Sequence, residues 1–208
     1  MEGNGKSKKV SGLRRPAVFL DRDGTINEQM GYINHLSRFV LLPRVPEAIK
    51  LLNQRNFLVI IITNQSGVAR GYFPVGLVDE VHDYMRKTLE EQGAVIDDIF
   101  FCPHHPRGII PEFREACDCR KPKTGLVDQA CQSFNIDLSR SYVVGDRYTD
   151  IELAETLGIG SVMVETGYGK GDMAYILPRK SLKPTFIAAD LFDAVTGIIK
   201  REQAFGSD

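Results

Sequence analysis

Two aspartates stand two apart in the string Phe19-Leu20-Asp21-Arg22-Asp23-Gly24-Thr25-Ile26-Asn27. A carboxylate in such a place can attack an electrophile or hold a metal, and its neighbour can trade protons with a leaving group. Gly24 permits a sharp chain reversal; the blander meaning of the same residues is an ordinary turn. A second set is Cys102-Pro103-His104-His105-Pro106, followed by Cys117-Asp118-Cys119-Arg120-Lys121-Pro122. Three thiolates (Cys102, Cys117, Cys119) and the His104 imidazole suit tetrahedral Zn²⁺, with His105 the weaker alternative to His104. Four protein ligands close the shell, so this zinc is expected to be structural and to aim Arg120 and Lys121, which follow the last ligand. Cys131 reads as a small core residue of a helix. A third set, Thr63-Asn64-Gln65-Ser66-Gly67-Val68-Ala69-Arg70-Gly71, offers Asn64, Gln65 and Arg70 as donors to a polyol phosphate, or is a turn. Gly145-Asp146 and Asp150 complete the inventory.

Short apolar runs position these residues. They cover 16–20, 56–62, 99–101, 141–144 and 161–164, and a last strand is expected at 184–188. Without alternation they fit strands buried on both faces. Between them apolar residues recur at helical spacing: Val45, Ala48, Ile49 and Leu52; Leu77, Val78, Val81, Tyr84, Met85 and Leu89; Leu126, Val127, Ala130 and Phe134; Ile151, Ala154 and Leu157; Leu191, Val195 and Ile198. This β-α succession predicts an α/β fold: a doubly wound, mainly parallel sheet with helices on both faces. In such sheets ligands bind beyond the carboxyl ends of the strands, so Asp21, Thr63-Asn64, Asp146 and Thr166 are expected to point into one crevice. The long irregular stretch 102–124 is of the kind that is functional or held by something. Segment 167–183, with Gly169, Lys170, Gly171, Arg179, Lys180 and Lys183, is expected to be a surface connection that passes the chain to the last strand, the alternative being that it closes near the substrate.

The chain of 208 residues is 43% hydrophobic and 25% charged with a formal charge of -1, which excludes disorder, collagen and coiled coil as descriptions of the whole. One domain over 16–208, preceded by a flexible tail over 1–15, is the expectation. The near-neutral balance argues against a broad nucleic-acid surface. No run spans a bilayer and no apolar segment follows the first positive charges, so no membrane partner, no export and a cytoplasmic location are expected. Lys6, Lys8, Lys9, Arg14 and Arg15 leave an anionic-surface anchor as an alternative. Four cysteines in that setting do not suggest a disulfide framework. A monomer is the default.

The string DRDGTIN resembles the first motif of the haloacid dehalogenase-like phosphohydrolases. Thr63 resembles their second motif, Lys121 their third, and Gly145-Asp146 with Asp150 their fourth, in order. Within that superfamily, TNQSGVARG with CPHHP and CDCRKP is similar to the D-glycero-D-manno-heptose 1,7-bisphosphate phosphatases, relatives of the histidinol-phosphate phosphatases. The resemblance implies removal of the C7 phosphate of a heptose 1,7-bisphosphate, in the supply of nucleotide-activated heptose for bacterial surface glycans. It implies Mg²⁺ held by Asp21, Asp146 and the backbone carbonyl of Asp23, because an anionic phosphate resists a carboxylate unless a cation neutralises both. It implies an aspartyl-phosphate on Asp21 and proton transfer by Asp23. Thr63 and Lys121 would hold the phosphoryl oxygens, and Asn64, Arg120 and Lys121 would contact substrate. Asp150 would orient Lys121 or a metal-bound water, or serve as a first-turn carboxylate. The alternatives are a histidinol-phosphate phosphatase and a zinc-stabilised binding module without catalysis. Only one helix fits between the first two motifs, so no large cap domain is expected.

Overall fold

The computed structural model describes residues 13–205. Six parallel strands form one sheet: β1 (Ala17–Leu20), β2 (Leu58–Asn64), β3 (Asp98–Cys102), β4 (Tyr142–Gly145), β5 (Gly160–Val164) and β6 (Phe186–Ala188), in the order β3-β2-β1-β4-β5-β6. The chain walks outward from β1 to β3, then returns to the other side of β1 with β4. This reversal opens a crevice between the carboxyl ends of β1 and β4, the place where doubly wound sheets bind ligands.

Side-chain alternation along β1 explains why both faces must be covered. Val18 and Leu20 pack into one apolar cluster, Ala17 and Phe19 into the other. The first cluster is roofed by α1 (Val45–Gln54), α2 (Val75–Glu90) and α6 (Leu191–Phe205). The second is roofed by α3 (Gly125–Ser133) and α4 (Tyr148–Leu157). α1 shows the logic: Pro46 sits in its first turn, and Val45, Ala48, Ile49 and Leu52 form its buried stripe. Truncating Leu52, which is fully buried, to Ala would cost about 2–5 kcal/mol by lost transfer energy and cavity formation.

Between the first two strands the only helical elements are a 3₁₀ turn (Leu36–Arg38) and α1, so no cap domain interrupts the fold. The stretch 102–124 has one 3₁₀ turn, Pro111–Phe113, and is otherwise irregular. Two expectations are corrected. The 167–183 segment is largely helical, with α5 (Gly169–Gly171) running on as a π-turn (Asp172–Ile176) and a 3₁₀ turn (Leu177–Arg179). Cys131 is exposed, because Leu126, Val127 and Ala130 take the sheet-facing side of α3. Tail residues 1–12, with Lys6, Lys8 and Lys9, lie outside the described residues. Arg15 of the expected tail is tied down: its guanidinium donates to Asn56 O and Phe57 O, both at 3.1 Å. No helix among the described residues is long and apolar enough to cross a membrane.

Candidate active site

Asp21 follows β1 directly, and its N–H extends the ladder by donating to Val144 O at 2.9 Å. The chain then folds over Arg22 O, which accepts from the N–H groups of Thr25, Ile26 and Asn27. Gly24 has φ +90°, and a Cβ there would strike the Asp146 carboxylate. Asp21 Oδ1 accepts from Arg22 N–H at 2.8 Å and pairs with Lys121 Nζ at 2.9 Å. Both contacts fall on Oδ1. Lys121 Nζ also donates to Asp150 Oδ1 at 2.7 Å. Burial works against the Lys121 charge, but Asp150 and Asp21 outweigh it and hold its pKa above the ordinary lysine value. Asn64 grips the Lys121 peptide from both sides: Oδ1 accepts from Lys121 N at 3.0 Å and Nδ2 donates to Lys121 O at 3.2 Å.

Across the crevice, Asp146 follows β4 and is fully buried. Its Oδ2 accepts from Tyr168 N–H at 2.7 Å, while its buried Oδ1 has no partner. Burial and the neighbouring Asp21 charge push its pKa up to about 8; burial also pushes Asp21 up, against the pull of Lys121. Asp150 serves in both of its expected ways. Oδ1 holds Lys121, and Oδ2 accepts from Arg147 N–H at 3.2 Å at the start of α4.

Asp23 sits differently. Its carboxylate accepts from Arg22 Nη2 at 2.9 and 2.8 Å, from Asn27 Nδ2 at 3.0 Å and from Gln65 Nε2 at 2.8 Å. Burial raises its pKa, but the Arg22 charge and these donors more than compensate, and the net shift is downward. Its carbonyl accepts a long bond from Gln29 Nε2, 3.4 Å.

A cleft of about 310 Å³ opens here. It brings together Asp21, Asp23, Thr63, Asn64, Gln65, Arg120 and Lys121 from the sequence reading. Arg70 is not among the lining residues; its Nη2 lies 3.0 Å from His105 Nε2 of the Cys/His loop. The side-chain N–H groups of Gln65 are used internally, on Asp23 Oδ2 and on Thr63 Oγ1 at 2.9 Å. Among the lining residues that the sequence did not mark are Gln29, Tyr32, Arg147 and Tyr168. Arg147 directly follows Asp146, and that adjacency was the available signal. Tyr168 could not be found by spacing, since it enters through the left-handed turn at Gly167 (φ +56°). The favoured expectation that 167–183 only passes the chain onward is therefore corrected toward its alternative: Tyr168 lines the cleft, its N–H donates to Asp146, and its ring lies 4.6 Å from the Arg147 guanidinium. Just before the segment, Thr166 Oγ1 donates to Gly24 O at 2.6 Å.

Two clusters have the chemistry of cation sites. Carboxylate oxygens of Asp21, Asp146 and Asp150 lie within 4.8 Å of one another. An orphaned buried oxygen on Asp146, and two carboxyls with raised pKa, are what a hard divalent cation would relieve. The second cluster is Cys102, His104, Cys117 and Cys119. Cys117 Sγ lies 3.4 Å from Cys102 Sγ and 3.2 Å from Cys119 Sγ; His104 Nδ1 lies 3.2 Å from Cys119 Sγ. A tetrahedral shell with Zn–S bonds of about 2.3 Å spaces its sulfurs roughly 3.8 Å apart, so the donors need little movement. Burial pushes Cys102 up to about 11 and raises Cys119, a conflict that a soft dication removes by taking thiolates. The far nitrogen of the His104 ring, Nε2, lies 3.2 Å from Glu115 Oε1, the kind of partner that orients a ligating imidazole.

The family model described as HAD-hydrolase-like matches residues 118–194, and the polynucleotide kinase 3 phosphatase model matches residues 18–155. The chain is 44% identical over 157 residues to a D-glycero-beta-D-manno-heptose-1,7-bisphosphate 7-phosphatase of Haemophilus ducreyi, covering 74% of this chain and 86% of the relative. It is 40% identical to the protein of the same name from Escherichia coli K12, over 73% of this chain and 80% of the relative. Among solved structures, D,D-heptose 1,7-bisphosphate phosphatase from B. bronchiseptica, complexed with magnesium and phosphate, superposes with a TM-score of 0.78 at 31% identity. That match covers 89% of this chain and 99% of the other. The fold and crevice are those of a haloacid dehalogenase-like phosphatase, an enzyme class whose members use Mg²⁺. Within that class the chain belongs to the heptose 1,7-bisphosphate phosphatase family.

Proposed function

We propose that the protein hydrolyses the C7 phosphate ester of D-glycero-β-D-manno-heptose 1,7-bisphosphate, the substrate in its relatives' names. The single observation that carries this reading is the pairing of Lys121 with both Asp21 and Asp150, near a buried Asp146 and beside a cleft that Arg120 and Arg147 also line. Asp21 attacks phosphorus with Oδ2, since Oδ1 is engaged by Arg22 N–H and Lys121. Lys121 and Thr63 hold the phosphoryl oxygens, on which charge must be balanced in the transition state. Asp23 gives a proton to the departing C7 oxygen, then takes one from the water that cleaves the aspartyl-phosphate and regenerates Asp21. The approaching phosphate dianion raises the proton affinity of Asp23 against the hold of Arg22. Asn64 sets the position of Lys121 through its peptide. Arg120 and Arg147 face the cleft and suit the second phosphate.

Asp21, Asp146 and the Asp23 carbonyl would hold Mg²⁺, which when bound neutralises the nucleophile and phosphate charge. Cys102, His104, Cys117 and Cys119 would hold a structural Zn²⁺ that fixes the loop ahead of Arg120 and Lys121.

A histidinol phosphate would call for a carboxylate toward its ammonium; the cleft instead offers Arg120 and Arg147 beyond the catalytic aspartates. The deciding experiment is phosphate release with Mg²⁺ from the β- and α-heptose bisphosphates, histidinol phosphate and a 3′-phosphorylated oligonucleotide. The β-bisphosphate is expected to give the highest kcat/KM. A higher value for either of the last two substrates would reject this assignment.

A further inference from the structure

Asp23 is gripped by a charge that is itself buried. Arg22 is only 1% exposed. Its Nη2 donates to both oxygens of Asp23, while Nη1 lies 3.1 Å from Nε2 of His82 on α2. A guanidinium offers donors only, so Nε2 is the acceptor and the ring's proton resides on Nδ1. His82 is itself 6% exposed, and its ring meets that of Phe101 edge-on with centroids 5.5 Å apart. Burial and the Arg22 charge press its pKa down to about 3, so the ring is neutral at working pH. The other buried positions of α2 are Val78, Val81, Met85 and Leu89, all apolar. A lone polar ring on that stripe is unfavourable to bury without a partner, and the partner it has is the arm of Arg22 that Asp23 does not occupy.

We propose that His82 is a positioning residue for proton transfer to the leaving group: by accepting from Arg22 it fixes the guanidinium plane, and through that plane the carboxylate of Asp23. This rests on Asp23 being the general acid. An alkyl oxygen needs a proton as its bond to phosphorus breaks, whereas 4-nitrophenolate departs without one. Loosening Asp23 therefore slows the first step, formation of the aspartyl-phosphate, far more for a sugar ester than for an aryl ester, whereas hydrolysis of the shared intermediate is affected alike for both.

The test compares single-turnover rates of leaving-group release, with enzyme in excess and Mg²⁺ present, from the heptose bisphosphate and from 4-nitrophenyl phosphate, alongside melting temperature. His82→Leu fills the space without an acceptor; His82→Gln returns an acceptor oxygen. The Leu variant is expected to lose about tenfold in this first-step rate on the bisphosphate while keeping the aryl first-step rate within about twofold, with half-saturation unchanged and Gln restoring the loss. Equal losses on both esters, or none, would overturn the proposal. If the Leu variant does not fold, His82→Phe replaces it, since it keeps a ring against Phe101 but accepts nothing from Arg22; the same split is expected and its absence rejects the idea. Asp23→Asn separates the two levels. A split there without one in the His82 variant sinks only the present inference, whereas no split in Asp23→Asn removes the general acid itself.

Discussion

Replacing Asp146 by Asn should stabilise the metal-free protein while destroying its activity. The carboxyl is fully buried, one oxygen has no partner, and its pKa is pushed from 3.8 to about 8. Between 3.8 and pH 7 lie about three units, each worth roughly 1.4 kcal/mol, so holding this group in the fold costs at most about 4 kcal/mol at neutral pH. Asn is neutral at every pH and its oxygen still accepts from Tyr168 N–H. Allowing for relaxation, a gain of about 2–4 kcal/mol is expected, or roughly 5–12 °C in melting temperature for a domain of this size. The sign follows from the raised folded-state pKa. The wild type keeps its full stability below about pH 4 and loses it as pH climbs toward 8, so the advantage of Asn is absent at pH 4 and grows through pH 8. Calorimetry in a chelator at pH 4, 6 and 8 measures it. An Asn variant that melts at or below the wild type at every pH would falsify the picture of Asp146 as a strained, unneutralised ligand. Added Mg²⁺ should narrow the gap by stabilising the wild type alone.

Two further outcomes follow from the geometry. Asn64→Leu removes both bonds to the Lys121 peptide while filling similar space; kcat should fall about 10–100-fold, by misplacing the ammonium, in steady-state phosphate release. No change in kcat would mean that the loop holds Lys121 without Asn64. Cys117→Ser should lower bound zinc, measured by elemental analysis of the purified protein, and reduce activity with it. Zinc content equal to wild type would reject the four-ligand shell.

The strand ends were readable because each is a buried apolar run that stops abruptly at a polar residue, and the parallel fold turns such stops into neighbours. Asp21 and Asp146 meet for that reason although 125 positions separate them. Lys121 was readable only through its resemblance to a motif, since it lies on an irregular loop. Other parts of the site carry no such mark. Tyr168 reaches Asp146 through its backbone N–H, which any non-proline residue supplies. Gln65 looked like a substrate donor because a polar amide in a strand-end loop has no preferred partner in sequence; in the fold its N–H groups go to Asp23 and Thr63. Arg70 looked equally available, but the Cys/His loop folds His105 onto it. His82 was hidden in an apolar helical stripe, where its polar character had no partner until Arg22 arrived from β1.

The most direct measurement of the central claim is an acid quench during turnover, followed by proteolysis and mass spectrometry of the peptides. The account requires a transient phosphoryl adduct on Asp21 that appears before free phosphate reaches its steady rate and is absent in Asp21→Asn. Turnover at full rate with no adduct, or with the phosphoryl group on another side chain, would contradict it.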